Sequence, residues 1–209
     1  MNSMEIMGFE ILPPAPAAEP IYNFENLALM FFIFMITGWI WEVIYTAATE
    51  RVIAKRGMLH GPWLPIYGVG GILIILFLSR FYRMPPLVFV LAVLLCSAVE
   101  YSAALLVEHF FGCRWWDYSH KFANIRGRIC LGGMLLFGLS GTVAVCSVGP
   151  VLNDNIARIP RGPHRALVVI LCVVFAADVV VSLLNPNTGK GITYDVSRKR
   201  DHSDHSDEK

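Results

Sequence analysis

The sequence predicts an all-α membrane protein, a helical bundle of about five transmembrane helices. Of its 209 residues, 56% are hydrophobic and only 16% are charged, against about 25% charged in an ordinary soluble domain. The charges are also segregated, because five apolar stretches cover just over half of the chain but hold only six charged side chains. Each stretch is near the ~20 residues that cross the hydrocarbon core. These figures exclude a disordered chain, a secreted disulfide scaffold and a basic nucleic-acid binder.

From the N-terminus, the chain divides into an arm, a membrane domain and a tail. Residues 1–26 contain Glu but no Lys or Arg, so we expect no signal peptide, and their proline-rich run predicts a flexible extracytoplasmic arm. Residues 27–185 form the predicted transmembrane domain, and residues 186–209 are polar enough to predict a disordered cytoplasmic tail. The five predicted spans are 27–49, 64–82, 85–111, 129–151 and 165–185.

The Lys and Arg residues of the connections predict the orientation of the chain. If all five stretches cross the membrane, one side carries 5 Lys and Arg and the other carries 12. The side richer in Lys and Arg is usually cytoplasmic. We therefore expect a multi-pass protein of the cell membrane with its N-terminus outside and its C-terminus in the cytoplasm.

Four acidic residues lie within the spans: Glu42, Glu100, Glu108 and Asp178. A charge at the bilayer centre costs about 2.5–3.5 kcal/mol on insertion scales, so such residues usually face the protein interior and have a partner. Glu42 and Glu100 are equally far from the starts of their spans, and both spans run from outside to inside, so we expect them at similar depth. Each also belongs to a stripe of small and polar residues at helical spacing, which should face the bundle.

The first two pairs of spans resemble each other. An offset of 58 in the numbering superposes Glu42 on Glu100, Glu50 on Glu108 and Arg56 on Arg114. Looser similarities join Arg56-Gly57 with Arg126-Gly127, and Gly70-Gly71 with Gly132-Gly133. This pattern suggests two repeated helix–loop–helix hairpins in parallel orientation, as some transporters have, with chance similarity as the alternative.

Two interpretations of Glu42 and Glu100 stay open. In the functional interpretation they form a polar site open to the cytoplasmic side, partnered by one of the loop arginines Arg56, Arg114, Arg126 or Arg128. In the structural interpretation they hold irregular loop backbone in place, because buried ion pairs can also fix how packed segments of a chain align. Asp178 is likewise either a proton-carrying group or a neutral, hydrogen-bonded acid.

Both loops on the predicted cytoplasmic side have unusual sequences. The first, 55–68, contains Gly and Pro residues that forbid a continuous helix but is otherwise apolar, so we expect a compact loop that dips into the bundle. The second contains the run Arg114-Trp115-Trp116-Asp117-Tyr118-Ser119, which is either an interfacial aromatic belt or a lid that meets an anionic group. The candidate substrate-binding or transport-path residues are therefore Glu42, Glu100, Arg56, Arg114, Arg128, Trp115, Asp117 and Tyr67.

Several kinds of chemistry lack their motifs. The chain has no GxxxxGK[ST], GxSxG or HExxH sequence, so we assign it no ATP hydrolysis, no catalytic residue, no cofactor and no metal. Its basic residues are too scattered for a nucleic-acid site. The cysteines match no zinc or CxxC spacing and are interpreted as free thiols; they are Cys96, Cys113, Cys130, Cys146 and Cys172.

Taken together, these motifs resemble the signature of a family of bacterial membrane proteins called Putative ABC-transporter type IV, or CmpB. The first half of the signature is similar to Gly38-Trp39, Glu42, Arg56-Gly57, Gly61-Pro62 and Pro65-Ile66-Tyr67-Gly68. The second half is similar to Glu100-Tyr101, the run 114–119 and Gly127-Arg128-Ile129-Cys130-Leu131. The chain departs from the family's Asn, Cys, Asn and Trp at Lys55, Leu64, Arg126 and Phe137. The resemblance, over about residues 28–150, implies a permease-like partner of an ATPase.

Three functions are compatible with the sequence. The first is a permease-like component of a transport system, which at this size needs a second copy or a separate ATPase subunit as partner. The second is a non-catalytic scaffold or regulator of envelope processes. The third is a membrane-embedded enzyme that acts on a lipid-linked substrate, because Glu, Arg, Trp and Asp side chains are expected together on one leaflet face.

Overall fold

The computed structural model describes residues 21–50 and 57–185, together with the backbone of residues 5–6, 9–10 and 194–195. The predicted arm and tail lie almost wholly outside the described residues, so the predicted domain boundaries stay predictions. Arg56, one of the candidate site residues, also lies outside them.

The protein is an all-α membrane helical bundle, as the sequence predicts. Its helices are α1 (Phe24–Glu50), α2 (Pro65–Leu78), α3 (Pro85–Phe111), α4 (Leu131–Val143), α5 (Gly149–Ala157) and α6 (Arg161–Leu184). A 3₁₀ turn at Ser79–Phe81 extends α2, and a π-helical turn at Ala144–Val148 joins α4 to α5. Six two-residue strands form three antiparallel pairs: β1 (Glu5–Ile6) with β2 (Phe9–Glu10), β3 (Cys113–Arg114) with β6 (Tyr194–Asp195), and β4 (Asn124–Ile125) with β5 (Ile129–Cys130).

Within the described residues, four helical segments are long and apolar enough to cross a membrane. They are Phe24–Ala48, Pro85–Phe111, Leu131–Ala157 and Arg161–Leu184. The segment predicted as the second span forms a shorter apolar helix, Pro65–Phe81. The chain is therefore a multi-pass membrane protein in which one of the five apolar stretches is shorter than the other four.

Proline and glycine place several of the helix boundaries. Pro65 and Pro85 begin α2 and α3, because the first helical turn leaves its N–H groups unbonded and loses nothing when proline lacks one. Gly112 ends α3 in the left-handed conformation, with φ 64°. Pro150 has no N–H to bond to the preceding turn, and beside it the Gly149 amide bonds to the carbonyl of Ala144, five residues back. This accounts for the π-helical turn.

Equivalent glycine contacts support the duplication of the two hairpins α1–α2 and α3–α4. At each of these glycines the partner helix approaches so closely that a Cβ atom would collide with it. Gly68 on Phe31 and Met35 corresponds to Gly138 on Phe89 and Val93, and Gly71 on Phe34 corresponds to Gly141 on Ala92. Equivalent residues differ in number by 58 when they lie on α1 and α3, and by 70 when they lie on α2 and α4. The two hairpins therefore pack their helices in the same way.

The two offsets correct part of the sequence alignment. The offset between the second helices of the hairpins, 70, is larger than the offset between the first helices, 58. The loop of the second hairpin therefore contains an insertion relative to the first loop. In this register the counterpart of Arg56 is Arg126, not Arg114. Gly57 and Gly127, which this register makes equivalent, both have left-handed backbones, with φ values of 91° and 69°. The same register pairs Gly70-Gly71 with Ser140-Gly141 instead of Gly132-Gly133.

The segment before α2 folds back into the bundle, as its sequence predicts. Leu59 and Trp63 are only 2% and 6% exposed, and they pack with Phe32 and Met35 of α1. The Leu64 amide also donates to the carbonyl of Met35, at 3.3 Å. Since Met35 lies near the middle of α1, the chain enters α2 from deep within the bundle.

The Asp178 carboxylate of α6 braces this re-entrant segment. Its two oxygens accept the backbone N–H groups of His60, at 3.2 Å, and Gly61, at 2.9 Å. The Ser182 hydroxyl, one turn further along α6, donates to the same carboxylate and lies 2.9 Å from Nδ1 of His60. Asp178 thus performs the bracing of loop backbone that the structural interpretation assigned to Glu42 and Glu100.

We expect Gly68→Ala to lower the stability of the protein by about 1–3 kcal/mol, the usual range for overpacking a filled interface. The added methyl group would lie 2.6 Å from Cγ of Met35 and 2.7 Å from Cε2 of Phe31. Gly70→Ala is the matched control on the same helix, since nothing lies within 4 Å of its new methyl group. Thermal denaturation in one detergent measures both; equal midpoints for the two variants would contradict the close packing at Gly68.

We expect Asp178→Ala to free the backbone of the re-entrant segment. Hydrogen bonds to a charged group contribute about 1.5–3 kcal/mol, so the amides of His60 and Gly61 should exchange with deuterium roughly 10- to 100-fold faster. Hydrogen-exchange mass spectrometry of peptides covering 57–64 measures this. Asp154→Ala, at an exposed position of α5, should leave these peptides unchanged; unchanged exchange in Asp178→Ala would reject the bracing role.

Candidate functional site

A cavity of about 300 Å³ lies between α1, α2, α3 and α4. Its walls are mostly apolar, with a few hydroxyl groups and one carboxylate among them. They are formed by Phe34, Thr37, Gly38, Trp41, Ile66, Tyr67, Gly70, Gly71, Ile74, Cys96, Val99, Glu100, Leu136, Phe137, Ser140, Gly141 and Ala144. A pocket of this kind, apolar with few polar groups, is typical of small-molecule sites.

The cavity lies at the interface between the two repeats. Most of its lining residues form pairs under the offsets of 58 and 70: Gly38 with Cys96, Trp41 with Val99, Ile66 with Leu136, Tyr67 with Phe137, Gly70 with Ser140, Gly71 with Gly141, and Ile74 with Ala144. Each repeat thus contributes the same surface to the cavity. The rings of Tyr67 and Phe137 meet edge to face, with their centroids 5.9 Å apart. The cavity therefore lies where equivalent surfaces of the two hairpins face each other.

Two residues of the cavity wall, Tyr67 and Glu100, belong to a cluster of two carboxylates and two phenols. The Tyr67 hydroxyl donates to Oε1 of Glu42, at 2.7 Å. Glu100 is 4% exposed and shares a hydrogen bond with the Tyr118 hydroxyl. Glu42, Glu100 and Tyr118 all lie within electrostatic range of Tyr67. The two carboxylates predicted to share a depth are therefore brought together.

The Tyr118 hydroxyl stays protonated far above neutral pH. Burial is the main cause, because it raises the pKa of Tyr118, and the neighbouring carboxylates of Glu100 and Glu42 raise that pKa further. Tyr118 thus acts as a hydrogen-bond donor to Glu100 in the physiological range. It belongs to the second loop, so that loop contributes a side chain to the membrane-embedded cluster.

The repeats differ in the hydrogen bonds of their carboxylates. Glu42 accepts a hydrogen bond from Tyr67 of α2, but the counterpart of Tyr67 in the second repeat is Phe137, which has no hydroxyl group. Oε2 of Glu100 is buried and has no hydrogen-bond partner. The bond that Glu100 makes to a tyrosine comes instead from Tyr118, in the longer second loop.

Two of the loop arginines, Arg114 and Arg128, have a different carboxylate partner from the one expected. Glu108 accepts from Nε of Arg114, at 3.2 Å, and from Nη2 of Arg128, at 2.7 Å. The Arg128 guanidinium also lies over the ring of Tyr101, 5.6 Å from its centroid. The expectation that Arg114 or Arg128 would partner Glu42 or Glu100 is thus corrected, because Glu108, at the end of α3, lies next to both arginines.

The second loop is compact. Trp115 is buried and packs its ring against Phe111, and Nε1 of Trp116 donates to the Arg128 carbonyl, at 2.9 Å. Burial alone would raise the pKa of Asp117, but hydrogen bonds from the hydroxyl and amide of Ser119 and the nearby Arg114 guanidinium hold that pKa below its usual range. The loop therefore carries an ionised Asp117 within a fixed turn.

The candidate residues from the sequence fall into two groups. Glu42, Tyr67 and Glu100 meet at the cavity, whereas Arg114, Arg128, Trp115 and Asp117 form the neighbouring loop cluster around Glu108.

Two residues of the site, Tyr118 and Phe137, are absent from the candidates that the sequence predicts. Tyr118 stands beside Asp117 in the motif, where an aromatic belt at the membrane interface explains a tyrosine equally well. Phe137 carries no polar group to mark it. An alignment of the hairpins at the offset of 70 pairs Phe137 with Tyr67, and this is the signal that could have identified it.

In the part of the chain that the structure describes, no group of three His, Cys, Asp or Glu side chains could hold a metal ion. The cysteines whose side chains are described, Cys96, Cys130, Cys146 and Cys172, are free thiols. Cys96 lines the cavity and Cys172 lies exposed on α6. The two thiols therefore differ in surroundings and can serve as matched reporters.

Comparison with known proteins identifies the family of the chain. The family model described as Putative ABC-transporter type IV matches residues 29–183, about three quarters of the chain. No curated protein and no solved structure matches the chain. The match includes both hairpins and most of α6.

We expect Glu108→Gln to destabilise the protein by about 1.5–3 kcal/mol, because two partly buried arginines lose a hydrogen bond to a charged group. The matched control is Glu25→Gln, which removes the partner of Arg165. That pair is 38% and 67% exposed, so its loss should cost less than about 1 kcal/mol. Denaturation midpoints in one detergent compare the two variants; equal losses would show that the loop cluster contributes no more than a surface ion pair.

Proposed function

Because the chain belongs to the family described as Putative ABC-transporter type IV, we propose that it is the permease-like membrane subunit of a transport system. The cavity between the two hairpins is then its substrate site, and Glu42, Tyr67, Glu100 and Tyr118 are the polar groups of that site. The site lies in a bacterial cell membrane, with the loops that precede α2 and α4 on the cytoplasmic side.

The position of the cavity is the observation that carries this proposal. In transporters built from repeats, substrates bind near the bilayer midplane between the repeats, and transport follows when one repeat moves against the other. Here both repeats line the cavity with equivalent residues. Buried ionisable residues at membrane depth are also typical of substrate and ion pathways.

The gap between the helices suggests how the cavity becomes accessible. Thr37 and Trp41 of α1 and Leu136 and Ser140 of α4 are exposed although they line the cavity. On the other side of the cavity, α2 and α3 are joined by the short turn at 82–84 and pack closely. The opening therefore lies between α1 and α4, and closure of that gap is the movement that we assign to transport.

The proposal also assigns the energy source and the partners. The sequence has no Walker A motif, so ATP hydrolysis belongs to a separate ATPase subunit, which docks on the cytoplasmic loops. A single bundle of this size leaves one cavity wall open, so a second copy or another membrane subunit completes the permease. The predicted orientation of the chain supports docking on the cytoplasmic side, because the connections on that side carry more Lys and Arg.

We expect Cys96 to react with a charged, membrane-impermeant maleimide added from the cytoplasmic side, and from the opposite side in the other state of the transport cycle. The test uses a variant that keeps Cys96 and carries alanine at the other four cysteines, in vesicles of both orientations. Gly70→Phe should reduce the labelling to near background, because its side chain would fill the cavity that Gly70 lines.

A variant that keeps only Cys172 is the matched control. Cys172 is exposed on α6, within a span, so the charged reagent should not reach it in the bilayer. If Cys96 stays unlabelled from both sides, the cavity is not a transport path, and the scaffold function would be favoured. Labelling of Cys96 from one side only, in every condition, would indicate a binding site without transport.

A further inference from the structure

Glu100 has an unused acceptor in a protein interior where acceptors are nearly always bonded. Its Oε2 atom is buried without a hydrogen-bond partner, and the residue forms part of the cavity wall. The repeat explains this unbonded oxygen, because Tyr67 donates to Glu42 whereas Phe137, its counterpart, cannot donate to Glu100. Tyr118 supplies Glu100 with one donor, but the donor that the counterpart of Tyr67 would supply from the cavity wall is missing, and Oε2 stays unbonded.

The hydroxyl groups of the lining do not supply this donor. Thr37 donates to the carbonyl of Ile33, at 2.8 Å, and Ser140 to that of Leu136, at 2.9 Å. The Tyr67 hydroxyl is committed to Glu42. These hydroxyls present lone pairs, and not protons, to a bound molecule. The other donors of the lining, the Trp41 indole N–H and the Cys96 thiol, leave Oε2 of Glu100 without a partner, so we assign the missing donor to the bound molecule.

The charges around the cavity favour a cationic donor. Among the described residues that line the cavity, Glu100 is the carboxylic acid and none is Lys or Arg, while Arg114 and Arg128 bond Glu108. The ring faces of Tyr67 and Phe137 also attract a cation. Most of the rest of the wall is apolar, so most of the ligand should be apolar as well.

We propose that the cavity binds a small apolar amine, whose protonated nitrogen donates to Oε2 of Glu100 and whose apolar body lies against Tyr67 and Phe137. The cavity volume of about 300 Å³ equals that of about ten water molecules, which suits an amine with one aromatic ring. Oε2 is shielded from the cavity in this structure, so binding requires rotation about the last torsion of Glu100, which is broad for glutamate. This inference rests on the proposed function, since it names the substrate class of the same cavity.

The test measures binding of 2-phenylethylammonium to the full chain in lipid nanodiscs by equilibrium dialysis, with empty nanodiscs as the background. The neutral probes 2-phenylethanol and propylbenzene have a similar size but no charge. We expect saturable binding of the ammonium only, and protection of Cys96 against a maleimide. Glu100→Gln should weaken the binding about tenfold or more, because a charge-assisted hydrogen bond is lost.

Phe137→Tyr separates the proposal from simple unfolding. Its hydroxyl should occupy Oε2 of Glu100, as Tyr67 occupies Glu42, so amine binding falls about tenfold while the denaturation midpoint stays the same or rises. Leu139→Tyr, at an exposed position of α4 that does not line the cavity, is the matched control, since it adds a tyrosine hydroxyl away from Glu100 and should leave ammonium binding unchanged. Equal binding of all three probes, or unchanged ammonium binding in both Glu100→Gln and Phe137→Tyr, would overturn the amine site.

These outcomes are distinguishable from failure of the proposed function. If the ammonium binds as expected but Cys96 is labelled from one side only, the amine site stands and the transport role is rejected. If Cys96 is labelled from both sides but the ammonium shows no saturable binding, the transport role stands and the substrate class is wrong.

Discussion

Close approach of helices at glycine is the constraint on which the rest of this structure depends. Lipid tails are as apolar as the helix surfaces, so helices in a bilayer associate chiefly through van der Waals packing, for which small residues are needed. Gly68 and Gly71 in one hairpin, and Gly138 and Gly141 in the other, provide this contact with the preceding helix. Because both hairpins use the same contact, they present matching surfaces, and the cavity forms where those surfaces face each other.

The acidic residues show how a membrane interior accommodates charge. Asp178 accepts two backbone amides of the re-entrant segment, and Glu108 pairs with two arginines near the end of α3. Glu42 accepts a tyrosine hydroxyl. Among these four acids of the described chain, Glu100 is the one with a buried oxygen that has no hydrogen-bond partner. The two repeats differ here by one side chain, because Phe137 stands at the position from which Tyr67 donates to Glu42 in the first repeat.

Much of the site could be predicted from the sequence. The similar depth of Glu42 and Glu100 follows from counting along two spans, and the irregular segment before α2 follows from its glycines and prolines. The partner of each acid could not be predicted in this way. Arg114 and Arg128 reach Glu108 instead of Glu100 because the second loop carries an insertion and folds over the end of α3. Loop length is visible in the sequence, but the path of the loop is not.

The sequence by itself determined that the chain is a multi-pass helical membrane protein with buried acids and a duplicated pattern. Hydrophobicity and helical spacing are properties of local segments, so they can be read without coordinates. Only the tertiary structure decided the register of the duplication, the pairing of Tyr67 with Phe137 across the cavity, and the unbonded oxygen of Glu100. Those features depend on which helix faces meet and on which side chain ends nearest to which oxygen, and such contacts join residues far apart in the chain.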